Sequence, residues 1–207
     1  MARIKREEII HEALKLLDEE GLDGVSTRSL ARRLGIESAS LYWHFRNKSE
    51  LLNEMSAVVL TRHHHNPPPT DSDNWPEFIS NNARSFRTAL LAHRDGARLH
   101  AGTSPTATEL ERILAKVNYL VRAGFTRREA GMVLYASSQF TIGCVLEEQV
   151  HLSHGAEDRK HTARKKRSAA KTSPSIATET RPSAGEAFEF GLNLFVQGLE
   201  VRMKASA

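Results

Sequence analysis

Cysteine occurs once in the 207 residues, at Cys144, which excludes an internal disulfide framework and fits a reducing compartment. Long apolar runs are missing as well: nothing approaches the roughly 18 residues needed to span a bilayer. Met1 to Arg6 is polar and basic with no apolar stretch behind it, so no signal peptide is read there. The expectation is a cytoplasmic chain with no membrane partner. No segment alternates apolar and polar residues as a half-buried strand would, and no internal repeat is visible. Enzyme signatures are absent too. There is no HExxH, no P-loop, no Gly-rich dinucleotide turn and no nucleophile with a paired base, which disfavours an enzyme, including a metal-dependent one built on His100 and Glu147. An acidic excess is also lacking: Lys and Arg number 29 against 25 Asp and Glu, a net charge of +4 that permits nucleic-acid binding without requiring it.

What is present reads as helix almost throughout. Ile9, Ile10, Ala13, Leu14, Leu16 and Leu17 recur at helical spacing over 6–20, and Gly21 supplies a stop. A short helix opens at Ser26 or Thr27, buries Leu30, Ala31 and Leu34, and ends at Gly35. Ser38 is placed to cap a third, running through Leu41 to His44. Asn47 and Glu50 have capping-box spacing at the head of a long helix that extends toward His64. Pro67, Pro68 and Pro69 break the chain. Further helices are read over 75–91 and on to Leu99, after Thr106 with Glu109, after Thr126 with Glu129 as far as about Val150, and over 183–203.

The fold class is therefore all-α, with three parts. Residues 1–47 read as an N-terminal three-helix helix-turn-helix domain charged for DNA binding, 48–66 as a connecting helix, and 67–207 as a larger helical domain behind it. Within the last, 151–182 is almost free of apolar residues and is expected to be a mobile basic loop. Its run from Arg159 to Lys171 reads as a solvated segment, with a non-specific polyanion contact as the sharper alternative. In the helix-turn-helix, the second of two short helices places its N-terminal residues on base edges of the major groove. Arg28, Arg32, Arg33, Arg46 and Lys48 oppose a single carboxylate there, Glu37. Arg28 is long enough to reach a guanine edge, and basic residues at helix ends can neutralise phosphates. His63, His64 and His65 do not make a zinc site, because adjacent helical residues point in different directions.

Thr27-Arg28-Ser29-Leu30-Ala31 followed by Leu41-Tyr42-Trp43-His44-Phe45-Arg46-Asn47-Lys48 closely resembles the recognition region of the tetracycline repressor (TetR) family. The likeness continues through 85–87, 93–97, 100–103 and 140–147, and is weak after about 150. It implies a ligand-responsive repressor that binds a palindromic operator in double-stranded DNA as a homodimer, with 67–207 as its C-terminal helical ligand-binding and dimerisation domain. Release by a tetracycline–Mg²⁺ complex, and control of tetracycline resistance or export, are implied with it. Carried over, Arg28 reads a guanine, Ser40, Tyr42, Trp43 and His44 lie in or beside the major groove, and Thr27 and Lys48 hold phosphates.

The same resemblance implies a pocket in which His64 and Asn82 make polar contacts to the drug and Phe86 lies against its rings. His100 would be the one direct protein ligand to Mg²⁺. Thr103 and Glu147 would act through metal-bound waters, Glu147 coming from the partner subunit. In the four-helix dimer bundle so implied, Gly191 and Gly198 allow close approach, and Gly143 leaves room beside a ligand.

Five positions depart from the family pattern. Ser38 and Ala39 replace Gln and Pro, and Ser cannot reproduce the bidentate pairing of Gln with adenine, so the operator is expected to differ at that base pair. Ser104 replaces Arg. Lys116 replaces Gln and brings a positive charge that could pair with an enolate or repel the metal. Gln139 replaces His and cannot take up a proton. A different aromatic polyketide is the alternative inducer.

Overall fold

The computed structural model describes the backbone of residues 4–69, 74–165 and 182–205, and the side chains of these apart from 153–165. Among the described residues the secondary structure is helical, with no strand. The helices are α1 (Arg6–Glu20), α2 (Thr27–Leu34), α3 (Ser38–Leu41), α4 (Lys48–His63), α5 (Trp75–Leu91), α6 (Gly96–Ala101), α7 (Ala107–Arg122), α8 (Arg127–Lys165) and α9 (Ala184–Ala205). None is long and apolar enough to cross a membrane.

The N-terminal head is a single apolar cluster. The periodic face of α1 packs with Val25, Leu30, Leu41, Phe45, Leu51 and Met55. Ser26 caps α2 by accepting from Ser29 N at 3.0 Å, and Gly35 closes it at φ 65°, a left-handed conformation that suits glycine. The third helix departs from the sequence reading in two ways. Glu37 rather than Ser38 precedes it, without a side-chain cap, and the α-helix stops at Leu41. Residues 42–44 continue as a tighter turn, with Tyr42 N bonding Ala39 O at 3.2 Å and His44 N bonding Leu41 O at 2.9 Å. That turn brings Phe45 into the core, where it is 5% exposed.

α4 is tied to α1 by Arg6. Its guanidinium bonds Glu50 at 2.9 Å, both carboxylate oxygens of Glu54, and the His44 carbonyl, while its carbon lies 4.4 Å from the Phe45 ring centroid. Asn47 caps α4 through Glu50 N at 2.8 Å, but the Glu50 carboxylate serves Arg6 and Arg46 N instead of closing a capping box. The helix ends at His63, three residues short of the expected connecting segment; 64–69 carry no regular structure up to the prolines.

Behind the head, α5 packs against α4, α6, α8 and α9. One cluster gathers Phe78, Ile79, Tyr119, Leu120, Phe188 and Leu192; another joins Leu60, Phe86, Leu90, Ala97 and Val145. Capping boxes open α7 at Thr106 with Glu109, and Thr126 with Glu129 makes the same exchange before α8. α8 runs to Lys165, past Val150, so residues 151–165 are helix where a mobile loop was expected. Loss of apolar residues removes packing, not helix propensity, and 151–165 contains no proline and several good helix formers among Ala, Lys, Arg, Leu and Glu. Residues 166–181, and the side chains of the basic run Arg159 to Lys171, lie outside the described residues. Gly191 meets Phe140 of its own chain, whose ring would lie 2.8 Å from an added Cβ, so its small size serves α8–α9 packing within the chain. Gly198 faces open space.

The turn into α6 fastens the head to the rest. Asp95, at φ 55°, accepts from Leu22 N at 2.9 Å; His93 Nδ1 lies 2.9 Å from Asp18, and Arg98 pairs with Asp23 at 3.1 Å. Leu99 enters the head's own core.

Replacing Arg6 by methionine keeps an aliphatic cover on Phe45 and removes every charged bond. The unfolding free energy should fall by about 1–2 kcal/mol, the scale of a multiply bonded, partly exposed network. Urea unfolding followed by circular dichroism measures it. A change within about 0.5 kcal/mol of zero would mean that apolar packing alone holds α1 on α4.

Candidate functional site

Two groups of sequence-selected residues occupy different parts of the fold. In the head, Arg28, Ser38, Tyr42, Trp43 and Lys48 are exposed, while Thr27, Ser40 and His44 are half-buried. Trp43 is 89% exposed and Tyr42 57%, unusual for large aromatics and informative for that reason. Arg33 is not available alongside them: it bonds Glu12 at 2.8 Å and Glu19 at 2.5 Å on α1. Arg28 and Arg32 form no ion pair among the described residues. The α2–α3 unit thus offers basic and aromatic side chains to an external partner, with phosphates and base edges as the fitting chemistry.

The second group lines a cavity of about 840 Å³ bordered by α4, α5, α6, α7 and α8. His64, Asn82, Phe86, His100, Thr103, Lys116 and Gln139 all border it, as does Ser104. Two residues from the sequence reading do not. Glu147 is exposed, 3.9 Å from His151 Nε2, and Gly143 has open space around it on the same outer stripe of α8. The three adjacent histidines part ways: His63 meets the His93 ring, His64 turns to Phe86, and His65 bonds Arg62 O.

The cavity has two polar stations separated by Phe86, whose ring centroid lies 5.6 Å from that of His64 and 5.0 Å from that of His100. At the first, Lys116 Nζ lies 2.9 Å from His64 Nε2 and donates to Asn82 Oδ1 at 2.6 Å. With Nε2 accepting, His64 Nδ1 carries the proton and donates to Ser85 Oγ at 3.0 Å. Burial, then the Lys116 charge, lowers the His64 pKa to about 3, so this imidazole is neutral. Burial, with Arg112 adding repulsion, lowers that of Lys116 to about 8.

At the second station His100 Nδ1 lies 3.2 Å from Ser56 Oγ, and Thr103 donates its hydroxyl to His100 O at 2.8 Å. Burial lowers the His100 pKa, outweighing the opposing charge of Glu109, which favours a neutral ring. With Nδ1–H donating to Ser56, Nε2 keeps a lone pair for a metal or a donor. Among the described residues, no three His, Cys, Asp or Glu gather into a metal-holding group. A hard cation here would therefore draw most of its oxygen ligands from a small molecule.

Sequence reasoning missed Ser56 and Ser85, which orient the two histidines. Ser56 did leave a signal: it is a small polar residue between Met55 and Val59 on the inward face of α4, and it is 4% exposed.

Comparison with known proteins covers the whole arrangement. The family model "Bacterial regulatory proteins, tetR family" matches residues 9–55, and "Tetracyclin repressor-like, C-terminal domain" matches 67–203. The chain is 43% identical over 204 residues to the class C tetracycline repressor protein of Escherichia coli, covering 97% of this chain and 92% of that one. It is 43% identical over 206 residues to the class A protein from transposon 1721 of Escherichia coli, covering 98% and 93%. A solved structure of class A TetR with 5a,6-anhydrotetracycline and magnesium superposes with a TM-score of 0.76 at 40% identity, covering 95% of this chain and 98% of that chain. The Streptomyces coelicolor TetR family protein ActR with (S)-DNPA gives a TM-score of 0.76 at 29% identity, covering both chains fully at 100%.

The Lys116 environment has a measurable consequence. The folded chain releases this proton near pH 8 and the unfolded chain near 10.5, so between those values the unfolded state binds more protons and stability rises with pH. Below pH 8 both states are charged, and the fold bears the whole desolvation penalty. Lys116→Gln should therefore be more stable than wild type at about pH 7, with the gap closing up to about pH 10.5. Melting temperatures of both proteins across that range test it; parallel curves would contradict it.

Proposed function

The chain belongs to the TetR family of bacterial regulatory proteins, and from that membership we propose that it is a tetracycline-responsive repressor, binding a palindromic operator as a homodimer and releasing it when a tetracycline–Mg²⁺ complex enters the cavity. The observation that carries this reading is the cavity that α4, the helix that begins in the DNA-binding head, reaches with its last turn, so that His64 just after it stands beside Asn82, Phe86, His100 and Thr103.

The residues present fit a chelated Mg²⁺. His100 is neutral with Nε2 free of its Ser56 partner, and Thr103 stands next to it. The bound cation would supply positive charge to the ligand's chelating oxygens; His100 would hold it, with Thr103 and Glu147 of the partner subunit acting through water. Glu147 lies off the cavity lining and exposed, which agrees with service to a second copy. His64 and Asn82 orient the opposite polar edge of the drug, and Phe86 packs against its rings. Lys116 bonds the two orienting residues and Gln139 borders the cavity from α8, so both belong to the ligand-binding set.

Dimerisation is supported by the apolar side chains left exposed on the last two helices, Met132 and Tyr135 on α8 and Phe190, Leu194 and Val201 on α9. Two-fold symmetry then sets the reading heads one DNA turn apart, about 34 Å. Arg28 reads a guanine. Ser40, Tyr42, Trp43 and His44 contact the groove, Thr27 and Lys48 hold phosphates, and Ser38 makes the operator differ at one base pair. The regulated function is tetracycline resistance or export.

The test is fluorescence anisotropy of labelled palindromic tetracycline-operator variants with the purified protein. DNA should be released only when anhydrotetracycline and Mg²⁺ are both present. Arg28→Ala should cost about 1–3 kcal/mol of operator affinity and relax discrimination at its base. Operator binding indifferent to drug and metal would overturn the inducer assignment, and no binding to any variant would overturn the operator assignment.

A further inference from the structure

Lys116 is a cavity charge without a counter-charge. Its ammonium has three donors; His64 and Asn82, both neutral, take two of them. Among the described residues it forms no ion pair with a carboxylate. The lining carboxylate, Glu109, accepts from Thr106 N at 2.6 Å in the capping box of α7. The charge that acts on Lys116 is another cation, Arg112, four residues back on the same helix face. An unpaired charge in a partly buried site is costly and is relieved by an anion that can hydrogen-bond to it. The cavity is open to ligands, and its lining sets this ammonium among largely apolar side chains such as Phe86, Ile113, Val117 and Ile142.

We infer that the cavity selects ring systems that place an anionic oxygen (an ionised enol, phenol or acid group) beside Lys116, and that Lys116 is the residue discriminating them from neutral isosteres. The inference rests on the reading of this cavity as the inducer site. It makes selection depend on pH. His64 and His65 from the segment after α4, His100 from α6, Glu109 and Arg112 from α7 and Tyr135 from α8 are the other titratable or charged groups on the lining; α5 contributes the neutral Asn82. His64 is already neutral far below pH 8, so loss of the Lys116 proton near pH 8 is the change felt by an anion there.

The test uses two fluorescent probes of matched shape on the full chain: 1-anilinonaphthalene-8-sulfonate, a permanent anion, and uncharged N-phenyl-1-naphthylamine. Lys116→Gln should weaken sulfonate binding roughly ten- to hundredfold at about pH 7, the range of a charged hydrogen bond, and leave the neutral probe within about twofold. Wild-type affinity for the sulfonate should fall as pH rises through about 8, approaching tenfold per unit. Lys116→Gln and Lys116→Arg should both lack that fall, while Lys116→Arg keeps the anion preference. Equal loss of both probes in Lys116→Gln, no loss of either, or no binding of either to wild type overturns the inference. Anhydrotetracycline with Mg²⁺ is titrated in parallel. Its failure to bind, with sulfonate discrimination intact, overturns the tetracycline reading and leaves the anion selectivity standing.

Discussion

α4 belongs to both sites at once, and the rest of the structure is arranged around that fact. Its first turn carries Lys48 and, with Glu50 and Glu54, holds Arg6 of α1. Its middle buries Met55 and Val59 in the head's core and sets Ser56 against His100. Its last turn puts Leu60 on the cavity, and His64 follows directly. Sixteen residues without a break span about 24 Å, so a shift imposed at one end is delivered to the other. The second attachment of the head is the turn into α6, through Asp95, His93, Arg98 and the buried Leu99. Because α6 also carries His100, a ligand that moves His100 acts on both attachments. A ligand-driven change in the position of the head would therefore have to alter bonded contacts at both points.

The cavity's chemistry follows from burial. Two imidazoles kept neutral can each donate and accept, and one can offer a lone pair to a cation; protonated, both could only donate. Phe86 keeps the two stations apart, which suits an elongated ring system with unlike ends. Lys116 makes those ends unlike in charge. One end carries the neutral His100, and the other carries the ammonium of Lys116 beside His64.

Much of this was legible in the sequence, for reasons that can be given residue by residue. The face of α1 could be read from Ile9 to Leu17 because a helix buries what recurs at its period. The caps at Ser26, Asn47, Thr106 and Thr126 are local chemistry. The recognition string from Leu41 to Lys48 and the scattered pocket residues came from resemblance, since no periodicity brings His64, Asn82 and His100 together. What escaped was tertiary. Phe45 cuts α3 short because its burial overrides a longer helix, and α8 outruns its apolar pattern because helix propensity persists where packing ends. Ser56 and Ser85 gain their roles from partners 44 and 21 residues away. Gly191 looked like a contact for a second subunit and is used against Phe140 of its own chain.

The central claim is that the cavity and the reading head share one equilibrium through α4 and α6. Linkage makes that claim reciprocal: whatever factor the ligand takes from operator affinity, the operator must take from ligand affinity. The direct measurement is the dissociation constant of anhydrotetracycline with Mg²⁺ for the free protein and for the protein saturated with operator duplex. The account predicts weaker ligand binding to the operator complex by roughly tenfold or more, within the usual span of coupling free energies. Equal affinities would contradict it, leaving two sites that share a helix and nothing else.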